Sequence, residues 1–258
     1  MDLVERSDDH AVAVLYLNRP DRRNALSGAL IEALAESLSA AAADPAINVV
    51  VLTGRGSVFC AGGDLADGLG ASEGFLAAHQ GRGRYADLLL DIAKLRTPVI
   101  ACVQGDAMGG GLGLAAACDL IVADPSANFG TPEIKLGLFP WIITAVLRRD
   151  LPRKPLLELM LTGAKMDAAR AERLGLVNRV AAPGQALAEA LVLAKDIASR
   201  SPAIIAMGKA AFHATADLPI DAAVRQLHAD LTLNLLTEDA AEGIGAFLQK
   251  RPPQWKGR

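Results

Sequence analysis

The sequence is poor in aromatic residues, cysteine and histidine, and each shortage excludes a class of structure or site. Aromatic residues make up 4% of the 258 residues although hydrophobic residues make up 52%, so the apolar content is mainly aliphatic and suits closely packed helices and buried strands. Cys60, Cys102 and Cys118 form no CxxC motif, and we expect reduced, packed thiols. The four histidines form neither an HExxH motif nor a pair at helical spacing, so we expect no metal site.

The sequence also lacks a large excess of charge of either sign. Its formal net charge is −3 and the charges are interspersed, which argues against the basic surface that nucleic-acid-binding proteins need. No apolar run reaches the length of about 18 residues that a membrane-spanning helix requires, and the N-terminus resembles no signal or transit peptide. We therefore expect a cytoplasmic protein that binds neither nucleic acid nor membrane.

Strand and helix patterns alternate in the first half of the chain, and helical patterns dominate the second half. The apolar runs 47–54 and 98–103 are each bounded by turn residues, which predicts buried strands covered on both faces. After residue 141 nearly every segment has helical periodicity. The sequence thus predicts an α/β core in residues 1–195 and a C-terminal helical region in residues 196–258.

Two glycine-rich segments each follow one of these predicted strands. They are CAGGD, residues 60–64, and MGGG, residues 108–111. Glycine has no Cβ, so its backbone N–H groups can approach a single ligand atom closely. If the two strands are neighbours, one N–H from each segment could bind the same oxygen and form an oxyanion hole, worth several kcal/mol to a developing anion. The alternative is that the glycines only permit tight turns between strands and helices.

A dinucleotide site is a competing interpretation of the second segment. Gly111, Gly113 and Ala116 match the spacing GxGxxG/A after a strand. That fingerprint belongs in the first strand-to-helix turn of a βαβ unit, whereas two strands and two helices are predicted before it here. Asp124 also comes too early to be the acidic residue that binds the ribose. No GxxxxGK[ST] motif is present, so the sequence favours neither a dinucleotide nor a nucleoside triphosphate site.

Motifs along nearly the whole chain resemble those of the crotonase superfamily, the enoyl-CoA hydratase/isomerase family. In order, they are LNRPDRRNAL, INVVVLTGRGSVFCAGGDL, PVIACVQGDAMGGGLGLAAACDLIVAD, NFGTPEIKLGLFP, LTGAKMDAARAERLGLVNRV and GIGAFLQKRPPQW. The resemblance implies a crotonase-like spiral of repeated ββα units with a C-terminal helical trimerisation region. It further implies a homotrimer or a hexamer built as a dimer of trimers, and an acyl-CoA substrate. Coenzyme A would be part of that substrate, and no other cofactor is expected.

The resemblance also assigns site residues. The N–H groups of Gly63 and Gly110 would bind the thioester oxygen as an enolate develops. The remaining substrate contacts that it suggests are Ala61, Asp64, Leu65, Arg23, Phe139, Trp141, Phe247 and Lys250. Among these, the two aromatic residues near position 140 could line an acyl pocket or belong to the core. Arg23 and Lys250 could contact phosphates of coenzyme A, Lys250 and Phe247 from a neighbouring subunit, or could be solvated surface residues.

One catalytic carboxylate of the family pattern is missing. Hydratases of this family have two glutamates; the second matches Glu133, but the position of the first holds Gly113. Glu133 could move a proton between two carbons as the acid and base of an isomerase, or it could activate water alone as a hydratase. It could also simply begin a helix after Pro132, where a carboxylate is favoured.

A third alternative is a different enolate reaction that uses another carboxylate, for which the candidates are Asp64, Asp67, Asp87, Asp91, Asp106 and Asp119. The chain could also be an acyl-CoA-binding homologue without catalysis. A serine peptidase of the Clp type shares the broad architecture, but it would need a nucleophilic serine near the second glycine segment, and residues 106–109 contain none.

Overall fold

A main sheet and a smaller sheet organise the chain in the computed structural model, which describes residues 2–65 and 74–258. The strands are β1 (Val4–Asp9), β2 (Val12–Leu17), β3 (Val49–Gly54), β4 (Val99–Val103), β5 (Ala107–Met108), β6 (Leu120–Ala123), β7 (Asn128–Gly130), β8 (Lys165–Asp167) and β9 (Arg179–Val180). The main sheet has the order β1-β2-β3-β4-β6-β9, antiparallel only between β1 and β2. The smaller sheet has the order β5-β7-β8.

Helices connect the strands and then make up the C-terminal part of the chain. They are α1 (Gly28–Ala43), α2 (Phe75–Lys94), α3 (Gly110–Ala117), α4 (Trp141–Asp150), α5 (Arg153–Thr162), α6 (Ala168–Arg173), α7 (Ala186–Ala198), α8 (Pro202–Thr215), α9 (Ile220–Leu235) and α10 (Glu238–Leu248). Short 3-10 helices cover Pro20–Arg22 and Pro132–Leu136. Among the helices of residues 2–65 and 74–258, none combines the length and apolar character needed to cross a membrane.

Both faces of the main sheet are covered, as the apolar runs predicted. All six residues of β3 are buried. Alternate side chains such as Val49 and Val51 pack with α7 on one face, while Val50 and Leu52 join the larger core formed with α1, α2 and α3 on the other. Since side chains alternate along a strand, a continuous apolar run is the pattern of a strand buried on both sides.

The two strands that precede the glycine segments are neighbours in the main sheet. β3 and β4 are parallel, with Val51 opposite Ile100. The carboxyl ends of both strands therefore lie at the same edge of the sheet, and so do the segments that follow them. The smaller sheet is joined to this edge, since Cys60 forms an isolated parallel bridge with Ala107 of β5.

Two elements differ from the sequence patterns. The polar N-terminal segment forms β1, an edge strand whose partners on β2 supply the apolar side chains that it lacks. The helical pattern YADLLLDIAKLR starts at Tyr85, but the helix itself begins at Phe75, ten residues earlier. The additional part contains Gly81 and Gly83, which weaken any helical pattern.

Lys209 of α8 ties the C-terminal helices to the core. Its ammonium group donates hydrogen bonds to the Asp119 carboxylate at 2.7 Å and to the carbonyl oxygens of Ile92 and Thr97. Because its side chain is only 8% exposed, its charge needs these partners. Beyond this contact the helices keep many apolar side chains exposed, including Phe212, Ile220, Val224, Leu231, Leu236, Phe247 and Leu248.

Candidate active site

The first glycine loop, residues 60–64, is held by backbone hydrogen bonds on both sides of Gly63. The N–H of Leu26 donates to the Gly62 carbonyl at 2.8 Å, and the N–H of Asp64 donates to the Leu26 carbonyl at 3.0 Å. This pairing leaves the N–H of Gly63 with no hydrogen-bond acceptor among residues 2–65 and 74–258. A Cβ placed on Gly63 would meet no atom within 4 Å, and Gly63 is exposed.

The second glycine loop, residues 108–111, presents the first N–H of a helix. Gly109 has φ +52° and ψ −123°, a conformation that only glycine adopts readily, and its N–H donates to the Gly130 carbonyl at 2.8 Å. Gly110 is the first residue of α3. Its N–H therefore has no acceptor within the helix and can donate to a ligand.

The two loops touch each other. A Cβ placed on Gly62, which has φ +99°, would lie 2.8 Å from the Met108 carbonyl oxygen and 3.4 Å from the nitrogen of Gly110. The Met108 N–H also donates to the Cys60 carbonyl at 2.9 Å. Only glycine allows this approach of two backbones, so the candidate donors of Gly63 and Gly110 come from loops in direct contact.

Glu133 lies against the second loop. It belongs to the 3-10 helix Pro132–Leu136, and a Cβ placed on Gly109 would be 2.7 Å from its Oε1. Its Oε2 is buried and has no hydrogen-bond partner in the part of the chain that the structure describes. Burial raises the pKa of Glu133 above its ordinary value, since desolvation disfavours the charged form. A carboxylate with such a buried oxygen beside the second glycine loop is suited to take up and return a proton.

The position of the missing carboxylate is filled by other side chains. A Cβ placed on Gly113 would lie 2.8 Å from the Cβ of Ile143, closer still to its Cγ2, and 2.6 Å from the hydroxyl oxygen of Tyr85. Ile143 comes from α4 and Tyr85 from α2, and both are buried. No side chain larger than that of glycine fits at position 113 unless these neighbours move.

Two of the candidate substitute carboxylates form ion pairs beside the loops. Asp64 pairs with Arg19 at 3.0 Å, and the Asp64 side chain is 12% exposed. Asp106 pairs with Lys165 at 2.9 Å and with Arg23 at 3.2 Å. These ion pairs neutralise both carboxylates, and they account for the two aspartates without a catalytic role. They also direct the guanidinium of Arg23 toward Asp106.

The other candidates lie on the outside of helices or beneath α8. Asp87 and Asp91 are exposed on α2. Asp119 accepts hydrogen bonds from Lys209 of α8 and from the N–H of Val99 in β4, and it thereby links this helix to the main sheet. Asp67 lies outside the described residues.

The predicted substrate contacts fall into two groups. Ala61 belongs to the first loop and donates its N–H to Arg23, and Leu65, 53% exposed, follows that loop. Phe139 and Trp141 lie on the chain between Glu133 and Ile143. Their ring centroids are 5.1 Å apart, with Trp141 77% exposed and Phe139 packed against the core.

The second group, Phe247 and Lys250, lies at the C-terminal end of α10, which packs on α8 and α9. Both residues are exposed, and Phe247 has 82% of its surface accessible. The fold thus assigns the loop residues and Glu133 to one edge of the main sheet, and these two residues to the helical region.

Comparison with known proteins shows the family to which the chain belongs. The model of the family described as "Enoyl-CoA hydratase/isomerase" matches residues 7–258. The chain belongs to this family. It is 39% identical over 253 residues to the 2,3-dehydroadipyl-CoA hydratase of Escherichia coli (strain K12), an alignment that covers 98% of each chain.

Solved structures of enoyl-CoA hydratases have the same fold as this chain. The enzyme from Polaromonas sp. JS666 superposes with a TM-score of 0.94 at 35% identity, covering 98% of this chain and 99% of that one. Human enoyl Coenzyme A hydratase domain-containing protein 3 also has a TM-score of 0.94, at 31% identity, with 98% and 100% covered. The predicted crotonase-like α/β fold and the family resemblance are therefore confirmed.

Sequence reasoning overlooked Tyr85. The residue begins an apolar stripe on α2 that continues with Leu88, Leu89 and Ile92, which is the spacing of a buried helix face. A tyrosine on such a face usually needs a hydrogen-bond acceptor for its hydroxyl. This requirement could have marked Tyr85 as a residue with a specific partner. The partner is the carbonyl of Gly110, which accepts the Tyr85 hydroxyl at 2.5 Å.

Proposed function

We propose that this protein isomerises enoyl-CoA thioesters through an enolate, with Glu133 as the only carboxylate that moves the proton. The observation that carries this proposal is the buried Oε2 of Glu133, which lies beside the second glycine loop and has no hydrogen-bond partner among the described residues. The N–H groups of Gly63 and Gly110 would bind the thioester oxygen. Two preorganised amide donors stabilise negative charge there without changing their own protonation.

The proton balance of this reaction needs one carboxylate. Glu133 removes a proton from C2 of a 3-enoyl-CoA, and the electrons of the C–H bond form a dienolate whose negative charge rests on the thioester oxygen. The protonated Glu133 then returns the proton to C4, which leaves the double bond between C2 and C3. The raised pKa of Glu133 suits the first step, because a carboxylate whose charged form is disfavoured by burial is a stronger base toward the C2 proton. The protonated group can still return the proton at C4, because the dienolate is a stronger base than the carboxylate.

Hydration of a 2-enoyl-CoA is the second candidate reaction. The names of the relatives favour it, since both the E. coli relative and the Polaromonas structure are called hydratases. In this reaction Glu133 would take the proton of an attacking water and deliver a proton to C2. Ile143 and Tyr85 occupy the space beside Gly113, which argues against a second carboxylate there that would help to orient that water.

Two thioesters separate these reactions. Incubation with a 3-enoyl-CoA should produce the conjugated 2-enoyl thioester, detected by its ultraviolet absorbance, faster than crotonyl-CoA loses that absorbance by hydration. Faster loss from crotonyl-CoA would favour hydration instead. Binding of both thioesters without any reaction would identify an acyl-CoA-binding homologue that has lost catalysis.

The wider substrate contacts extend this proposal. Ala61, Asp64 and Leu65 would run beside the pantetheine and adenine of coenzyme A, with Arg23 near a phosphate. Phe139 and Trp141 would border the acyl group, because they connect Glu133 to the helix that carries Ile143. Phe247 and Lys250 would contact coenzyme A from a neighbouring subunit.

An oligomer is part of the same proposal. The exposed apolar side chains of α8, α9 and α10, together with a groove of about 600 Å³ between α8 and α9, support a homotrimer or a dimer of trimers. Sedimentation equilibrium tests this directly. A mass near 26.8 kDa, that of one chain, at micromolar concentration would contradict it.

A further inference from the structure

The second glycine loop has to be held rigid by groups outside it. Gly109, Gly110 and Gly111 have no side chains, and glycine has the greatest backbone freedom of any residue. An oxyanion hole works only when its donors already point at the oxygen before charge develops. The helix supplies one restraint, because the Gly109 carbonyl, in the same peptide group as the Gly110 N–H, accepts the N–H of Gly113 at 3.1 Å. Contacts from other elements have to supply the rest of the restraint on the Gly110 N–H.

Two hydrogen bonds from other elements flank that N–H. On one side, the N–H of Gly109 donates to the carbonyl of Gly130 in β7 at 2.8 Å. On the other side, the carbonyl of Gly110 accepts the hydroxyl of Tyr85 at 2.5 Å. The candidate donor thus lies between one main-chain anchor and one side-chain anchor.

Tyr85 is itself well placed to act as an anchor. The residue is 9% exposed, and its hydroxyl oxygen would be 3.5 Å from a Cβ on Gly110 and 2.6 Å from one on Gly113. Its ring end therefore packs on the first turn of α3. Burial first, and then the nearby Cys60 and Glu133, raise the pKa of the Tyr85 phenol well above its usual value, so it remains a neutral hydrogen-bond donor.

We propose that Tyr85 is a positioning residue whose hydroxyl fixes Gly110 so that the Gly110 N–H stays aimed at the thioester oxygen. The inference rests on the enolate chemistry proposed above. It assigns to α2 a role in catalysis that does not involve contact with the substrate. Gly113 contributes to this positioning, because the absence of a side chain there leaves room for the Tyr85 hydroxyl to reach the Gly110 carbonyl.

Tyr85→Phe tests this inference, since it removes the hydroxyl and keeps the ring. We expect kcat for the preferred enoyl-CoA to fall at least about tenfold while KM changes less than about twofold, because the donor acts on the charge of the transition state. Tyr16→Phe is the matched control. Tyr16 is the other tyrosine of the chain and lies on β2, where its ring faces the guanidinium of Arg55 at 3.7 Å. It should leave both constants unchanged.

A second measurement reads the oxyanion hole without turnover. Acetoacetyl-CoA ionises at C2 to an enolate with its own ultraviolet absorbance, so a titration of the bound ligand gives the pH at which half of it is enolate. Tyr85→Phe should raise this pH by about one unit, the equivalent of a tenfold loss of enolate stabilisation. Circular dichroism would confirm that the variant is folded.

The outcomes separate this inference from the proposed function. If wild type is active and Tyr85→Phe changes neither kcat nor the enolate titration, the inference is wrong and the proposed function stands. If wild type turns over no enoyl-CoA but binds the enolate in a way that depends on Tyr85, the proposed function is wrong and the inference stands. A wild-type protein that fails to stabilise the enolate overturns both.

Discussion

The two sides of the second glycine loop differ in polarity, and the difference suggests how one family fold supports different reactions. On one side, beside Gly109, the carboxylate of Glu133 has a buried oxygen without a partner in residues 2–65 and 74–258. On the other side, at Gly113, the side chains of Ile143 and Tyr85 occupy the space that a second carboxylate would need. In the proposed reaction the first side exchanges a proton, whereas the second side provides packing and a hydrogen bond to Gly110.

Removing the carboxylate from the polar side should have the largest effect. Glu133→Gln keeps the shape of the side chain but cannot accept a proton, so kcat should fall about a thousandfold, within the usual range for a general base. Acyl-CoA affinity, measured by calorimetry, should change little. Glu158→Gln is the control, because Glu158 is an exposed residue of α5 paired with Arg170 at 2.6 Å. A Glu133→Gln enzyme with more than a tenth of the wild-type kcat would remove this residue from the mechanism.

Making the apolar side polar should have an intermediate effect. Gly113→Glu combined with Ile143→Ala introduces a second carboxylate and removes the closest of the atoms that block it, Cγ2 of Ile143, while the Tyr85 hydroxyl still has to shift. We expect the ratio of hydration to isomerisation to rise about tenfold or more, since a second carboxylate can orient water. The ratio is measured with crotonyl-CoA and a 3-enoyl-CoA.

The single variants are the controls for this change. Gly113→Glu alone overpacks the space between α3, Ile143 and Tyr85, and it should lower the free energy of unfolding by about 1–3 kcal/mol. Ile143→Ala alone should lower stability without increasing hydration. If the double variant folds and its ratio of hydration to isomerisation equals that of wild type, the packing around Gly113 does not determine the reaction.

The smallest expected effect is on stability, and it depends on pH. Because burial raises the pKa of Glu133 in the folded state, its charged form destabilises the fold once the pH rises above that pKa. Below the unfolded-state pKa both states bind the proton, and this penalty disappears. Glu133→Gln should therefore be more stable than wild type at pH 8, by about 1 kcal/mol, and lose that advantage near pH 4. Urea unfolding at the two pH values measures it, and an equal difference at both would show that the charge is not the cause.

Much of the fold followed from local patterns in the sequence. The runs 47–54 and 98–103 predicted buried strands because their apolar residues are continuous, and the structure places β3 and β4 within them. Ser27 begins a helical pattern and caps α1 by accepting the N–H of Leu30. The N-terminal strand β1 was overlooked because its polar residues gain their apolar environment only by pairing with β2.

The candidate site was only partly predictable. The glycine segments and Glu133 stand out in the sequence because their residue types and spacing match a known family, and their roles as donors and base remain predictions. The contact of Tyr85 with Gly110 spans 25 positions along the chain, and no local pattern specifies which carbonyl a buried hydroxyl will find. The same holds for Ile143, whose contact with Gly113 depends on how α4 packs against α3.

The sequence by itself determined most of the strands and helices of the core and the family, and it singled out Glu133 as the carboxylate at the retained family position, because periodicity, glycine clusters and motif order are properties of the chain alone. Only the tertiary structure decided that the two glycine loops touch, that Glu133 lies beside one of them with an oxygen that no described residue partners, and that Gly113 is enclosed by residues from two other helices. These features depend on distances between segments far apart in sequence, and such distances are fixed by the packing of the whole core.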